Sequence, residues 1–309
     1  MTTHKLKKAG QLFAHAGNGF IEDNCFKLSA SLSYYTVFAL GPLLIIIISL
    51  AGIFFGREAI QGRIYGQING LVGHEAALQI QEIIKNIQAS HTSTTGAIVG
   101  TIILVIGATG VFTEIQDSIN FIWSVKAKPK KSWLKFLTNR LLSFSLVISM
   151  GFVLMVSLVV SAVIGLLSDR LLRIFPRHAI NLIDVTNVFI MLLVITALFA
   201  VIFKVLPDAV IAWKDAWIGA LLTAVLFMLG KLLIGFYLNK ANLDVTYGTA
   251  ASIVIILSWV YYSALILFFG AEFTKMYALQ AGQGIKPKET AVFIIKKETK
   301  EVPTSYLDT

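Results

Sequence analysis

Six stretches of the chain run apolar with few interruptions: 28–55, 96–115, 141–167, 185–205, 216–237 and 249–269. A helix needs about 20 such residues to cross roughly 30 Å of hydrocarbon, so the pattern predicts six transmembrane helices. Short strands of alternating polarity separated by turns are missing, which argues against a β-barrel. The expected fold is all-α: a polytopic membrane protein of six transmembrane helices, with amphipathic helices at the interface and in an external loop.

The segments between the spans carry patterns of their own. In the loop 56–95, Ile80, Ile83, Ile84 and Ile87 recur at helical spacing, with Gln81, Glu82, Lys85 and Asn86 opposite. Ile60, Ile64 and Ile68 make a second stripe. Both predict amphipathic helices that cap the bundle or act as a lid. Residues 12–26 predict an interfacial helix bearing Phe13, Phe20 and Phe26. The chain thus divides into an interfacial segment 1–27, a six-helix domain 28–279 and a tail 280–309. The tail is polar enough to be expected mostly disordered.

Composition supports this reading. The chain is 56% hydrophobic and 14% charged, where soluble domains average about 25% charged residues. That excludes a soluble enzyme, a disordered protein and a disulfide scaffold. The single cysteine, Cys25, rules out an intrachain disulfide. The net charge of +9 would suggest nucleic acid in a soluble protein. In a membrane protein it reflects Lys and Arg gathered in cytoplasmic segments, and no nucleic-acid partner is expected. The N-terminal segment, the connection 126–140, the connection near 204–214 and the chain from Lys275 onward hold 18 Lys and Arg. The opposite side holds 7, and Lys231 lies inside a span. Both termini are therefore expected in the cytoplasm, and the first span acts as an uncleaved anchor in a bacterial inner membrane. Lys126, Lys128, Lys130 and Lys131, interleaved with Trp133 and Phe136, suit anionic lipid headgroups.

Polar side chains in the spans need a reason, because each charge at the bilayer centre costs at least about 2.5–3.5 kcal/mol. Glu114, Asp117 and Asn120 follow one another at three-residue steps and are expected on one helical face. Glu272 sits at the cytoplasmic end of the sixth span. These groups would form either a polar vestibule, with Lys204 or Arg140 as counterions, or a salt-bridge network that locks the helix ends. Lys231 lies about 12 Å from the outer end of its helix at 1.5 Å per residue. It either snorkels or lines an outward cavity. In the first span, Tyr34 and Tyr35 stand among Ser29, Ser31, Ser33 and Thr36, and Pro42 is expected to kink the helix. Glu114, Asp117, Asn120, Lys231, Glu272, Tyr34, Tyr35 and Pro42 are the expected lining of a transport path. The five histidines are scattered without metal-ligand spacing, and no P-loop or nucleophile elbow occurs, so no catalytic residue, metal or cofactor is expected.

Several of these motifs resemble the YihY/BrkB inner-membrane family. They are Ala30-Ser-Leu-Ser-Tyr-Tyr-Thr-Val-Phe-Ala-Leu-Gly-Pro-Leu43, Gly110-Val-Phe through Asn120-Phe-Ile-Trp123, and Phe203-Lys-Val-Leu-Pro207. Trp213-Lys-Asp-Ala-Trp-Ile-Gly-Ala220, Lys231, Tyr237, Tyr247-Gly248, Trp259-Val-Tyr-Tyr-Ser263 and Gly270-Ala-Glu272 complete the set. Phe203 departs from the pattern, which has Tyr there. The resemblance implies a six-helix inner-membrane protein associated with envelope lipid handling. It also brings the old label ribonuclease BN, which no metal-ligand spacing in this sequence supports. The expected function is a transporter, lipid translocase or scramblase that hydrolyses no ATP. The alternatives are an envelope assembly factor and, last, a ribonuclease. Substrate, coupling ion and oligomeric state stay open.

Overall fold

The computed structural model of the chain describes residues 2–39, 77–82, 110–128, 178–240 and 251–296, together with His74 and Tyr247. Within them run helices α1 (Thr2–Glu22), α2 (25–39), α3 (110–122), α4 (His178–Val205), α5 (Trp213–Lys240) and α6 (Ala251–Gln280). Four short strands join them: β1 (Val125–Ala127), β2 (Ala209–Val210), β3 (Lys286–Pro287) and β4 (Ala291–Phe293).

Helices α4, α5 and α6 hold 28, 28 and 30 residues. Within them Val188–Val205, Trp213–Leu238 and Ile253–Gln280 are long and apolar enough to cross a membrane. They fall on the last three expected spans. Of the first two, residues 28–39 and 110–115 are helical. The remainder, with all of 141–167, lies outside the described residues. So do Pro42, Arg140, Lys130, Lys131 and the loop stripes, except that 77–82 is helical and includes Ile80.

Lipid tails are as apolar as leucine, so helices in a bilayer associate by close packing rather than by hydrophobic burial. The α5–α6 contact shows how. Gly219 and Thr223 on α5 meet Gly270 and Thr274 on α6. A Cβ on Gly219 would stand 1.8 Å from Thr274 Oγ1, and one on Gly270 would stand 1.9 Å from Thr223 Oγ1. Each glycine thus receives the other helix's threonine. Each threonine hydroxyl donates back to its own helix, at Gly219 O (2.7 Å) and Gly270 O (2.6 Å), so no polar hydrogen is stranded. Ala216, Ala220 and Ala224 continue this small-residue face into the core. The opposite face of α5, with Leu221, Val225, Leu229, Leu232 and Phe236, is exposed. It is the face fit for acyl chains.

Helix α1 runs antiparallel along the last turns of α6. Phe13 packs on Phe273 (ring centroids 5.2 Å) and Phe20 on Phe269 (6.1 Å), with Ala16 buried between them. The helix expected over 12–26 is in fact broken. It ends at Glu22, the chain turns at Asp23–Asn24, and Phe26 belongs to α2. Asn24 takes φ +52°, a left-handed conformation that asparagine tolerates better than most residues.

The tail also differs from its expectation of disorder. After Gln280 the chain leaves α6 through Gly282 and Gly284 (φ +78°) and stays ordered to Lys296. β3 pairs antiparallel with β2, and β4 pairs with β1 in the register Val125↔Phe293, Lys126↔Val292, Ala127↔Ala291. Backbone hydrogen bonds extend the ribbons: Lys128 N–H to Thr290 O (2.7 Å), Lys288 N–H to Asp208 O (2.9 Å) and Ile294 N–H to Ser124 O (2.8 Å). A polar segment without a core of its own gains order because other segments offer it unpaired backbone groups. It forms a strap across the ends of α3, α4 and α5.

Candidate functional site

Beneath the strap, the polar side chains of this end of the bundle form two clusters. The first centres on Glu272 of α6, which is 0% exposed. Gly19 of α1 makes room for it: a Cβ there would stand 2.8 Å from Glu272 Oε2. The Asp23 carboxyl, at the α1–α2 turn, lies in hydrogen-bonding contact with that of Glu272. Lys275 Nζ donates to Asp23 Oδ2 and Glu272 Oε2, both at 3.3 Å. Lys296 arrives from the strap, donates to Asp23 Oδ1 at 2.5 Å, and lies 4.3 Å above the Phe121 ring. Glu272 Oε1 has no hydrogen-bond partner among the described residues.

Burial works to raise the Asp23 pKa. The hydrogen bond with Glu272, then Lys296 and Lys275, outweigh it and hold the carboxyl below the usual range. Cys25, one turn on, is buried. Burial first, then the charges of Glu272 and Asp23, push its thiol up to about 12. That makes it an inert thiol rather than a nucleophile.

The second cluster holds the α4–α5 turn. Asp208 is buried and accepts from Asn120 Nδ2 (2.9 Å) and Gln116 Nε2 (3.3 Å), while its own N–H donates to Asn120 Oδ1 (2.8 Å). Gln116 and Asn120 are one helical turn apart on α3, so both reach one carboxylate. Close by, Asp215 begins α5 and accepts the Gln283 N–H (3.1 Å). Gly282 is required there, since a Cβ would stand 2.3 Å from Asp215 Oδ2. Trp123 Nε1 donates to Ala271 O (3.0 Å), tying α3 to α6 beside Glu272.

The structure brings some of the expected path residues together and separates others. Asn120 and Glu272 are buried at the same end. Glu114 is half-buried and Asp117 exposed. Steps of three residues fall about 60° short of a turn each, so the three side chains fan across α3 instead of sharing a face. The counterion of Glu272 is Lys275. Lys204, the expected partner, donates to Ile211 O and lies 5.6 Å over the Trp213 ring. Tyr34 and Tyr35 are exposed, and Tyr35 touches the Gly110 position of α3. Lys231 is half-buried on α5, after Gly230, which packs on Tyr262 and Ile266 of α6. Phe203, the departure from the family pattern, is fully buried. Among the described residues, no group of three or more His, Cys, Asp or Glu side chains is placed to hold a metal ion.

Sequence reasoning missed Gly19, Asp23, Gln116 and Asp208. Only Gln116 carried a local signal, its four-residue spacing from Asn120.

Apolar helices of spanning length, closed on one another by glycine–threonine contacts, define an α-helical integral membrane protein. The chain belongs to the virulence factor BrkB family, whose model matches residues 16–293. It is similar to the UPF0761 membrane protein of Saccharophagus degradans, 28% identical over 274 residues, which are 87% of this chain and 60% of the relative. The UPF0761 membrane protein of Delftia acidovorans is 30% identical over 259 residues, 82% of this chain and 59% of the relative. That of Stenotrophomonas maltophilia strain R551-3 is 30% identical over 267 residues, 84% and 59% respectively. The chain thus spans about three fifths of the length of these relatives. No solved structure matches it.

Proposed function

We propose that this chain is a six-helix protein of a bacterial inner membrane, with both termini in the cytoplasm. On this reading it is not an enzyme, and it moves a lipid or a similar amphiphile across the bilayer without hydrolysing ATP. The observation that carries the reading is Glu272, wholly buried at the end of a span with one carboxylate oxygen unpartnered among the described residues. A structure built only for strength removes such a group or satisfies it; a group kept in this state is a mark of a pathway. In the other half of the bundle, Lys231 and the unpartnered Nε1 of Trp259 supply donors suited to an anionic headgroup. Glu114, Asp117, Asn120, Tyr34, Tyr35 and Pro42 complete the proposed path. Lys126, Lys128, Lys130 and Lys131 are proposed to meet anionic headgroups at the cytoplasmic surface.

The test is transfer of a fluorescent anionic phospholipid between leaflets of liposomes carrying the purified protein. Lys231→Ala is expected to fold with unchanged melting behaviour and to lose both transfer and complementation of a deletion strain. Full activity in that variant would remove Lys231 from the path. A second reading, an envelope assembly factor, is favoured by the paired state of Asp23, Lys275 and Lys296. It predicts complementation without any lipid transfer.

A further inference from the structure

We infer that the Asp23–Glu272 pair is a binding site for a single proton, and that this proton governs how firmly the strap is held. Two ionised carboxylates are acceptors only. These two bracket a single ammonium, Lys275 Nζ lying 3.3 Å from Asp23 Oδ2 and 3.3 Å from Glu272 Oε2. Like charges that close, away from water, oppose each other's ionisation. Glu272 is 0% exposed, and its Oε1 meets no donor among the described residues. One proton on the pair removes a buried negative charge.

The surroundings fix the consequence. Lys275 on α6 bridges both carboxyls, and Lys296 from the strap reaches Asp23. From α2 the buried Cys25 thiol lies beside the pair, and α1 faces it with Gly19. His15, further along α1, is bonded to Gln280. From α3, Phe121 lies under Lys296, and Trp123, just past the helix end, donates to Ala271 O beside Glu272. With the proton bound, one negative charge faces two ammonium groups. With the proton gone, two face two. Release of the proton therefore tightens the hold on Lys296 and on the strap, and uptake loosens it. The strap spans the ends of α3, α4 and α5, so protonation of one buried pair reaches three helices. The site stands whether or not the chain moves a lipid, because its test reads protonation and not transport.

Infrared difference spectra of the full chain in lipid nanodiscs are expected to show a protonated-carboxyl band at neutral pH. The band should disappear on alkaline titration and be missing in Glu272→Gln. In parallel, Ile295→Cys places a nitroxide on an exposed strap residue while Cys25 stays buried. The label is expected to lose mobility as the band disappears. In Glu272→Gln, which fixes the neutral state, its mobility should stay at the wild-type acid-side level across that titration. No band at neutral pH in the wild type overturns the proton site, even if the variant fails to fold. A nitroxide titration identical in wild type and Glu272→Gln overturns the link to the strap.

Discussion

At the scale of single residues, the cluster depends on an absence and a charge. Gly19 leaves the space that Glu272 fills, so Gly19→Ala must displace the buried carboxyl. A cost of about 1–3 kcal/mol is expected, read as a lower melting temperature in detergent. Asp23 makes stability depend on acid. Its folded-state pKa lies below the unfolded value, so its contribution is complete above that value and is lost as pH falls through the folded one. Melting temperature is therefore expected to fall as pH drops below about 4. In Asp23→Asn that fall should be smaller, from a lower starting point. A dependence as steep in the variant would assign it to another group. Neither residue was legible in advance. In the run Asn18-Gly-Phe-Ile-Glu-Asp-Asn24, nothing distinguishes the buried Asp23 from the exposed Glu22; only the docking of α6 does. Glu272 was legible, because a carboxyl at the end of an apolar run stands out against its neighbours.

At the scale of elements, helices α4 to α6 could be read from the chain directly. A bilayer demands some twenty apolar residues per crossing, and few other structures need that. How α5 and α6 join was present in the sequence as Gly219/Thr223 and Gly270/Thr274, two glycine–threonine pairs at four-residue spacing. It takes the antiparallel register to show that they interlock. Gly219→Ala is expected to destabilise the pair by about 1–3 kcal/mol through contact with Thr274. Thr274→Ala in the same chain should restore part of that loss, since it removes the atom in the way. If the two losses add independently in denaturant titrations, the interlock is not the cause. The strands were illegible for a different reason. Segments of two or three residues carry no periodicity, and their pairing is chosen by backbone groups that side-chain patterns do not report.

At the scale of the molecule, the proposed topology can be tested because Cys25 is buried and its thiol inert. Val292→Cys, exposed on the strap, is expected to react with an impermeant thiol reagent only after cells are opened. Tyr247→Cys, exposed between α5 and α6, is expected to react in intact cells. The opposite pattern would invert the molecule. The six-span count rests on apolar length, and the orientation on where Lys and Arg gather.

The pairing of β1 with β4 also sets an order of events during synthesis. Val125–Ala127 leaves the ribosome long before Ala291–Phe293, with α4, α5 and α6 made in between. Helices can enter the bilayer one after another as they emerge, but this closing stitch must wait until Ala291–Phe293 has been made. A nascent protein stalled before residue 291 would carry every described long helix and still present an open edge at Val125–Ala127, a template on which another chain can pair.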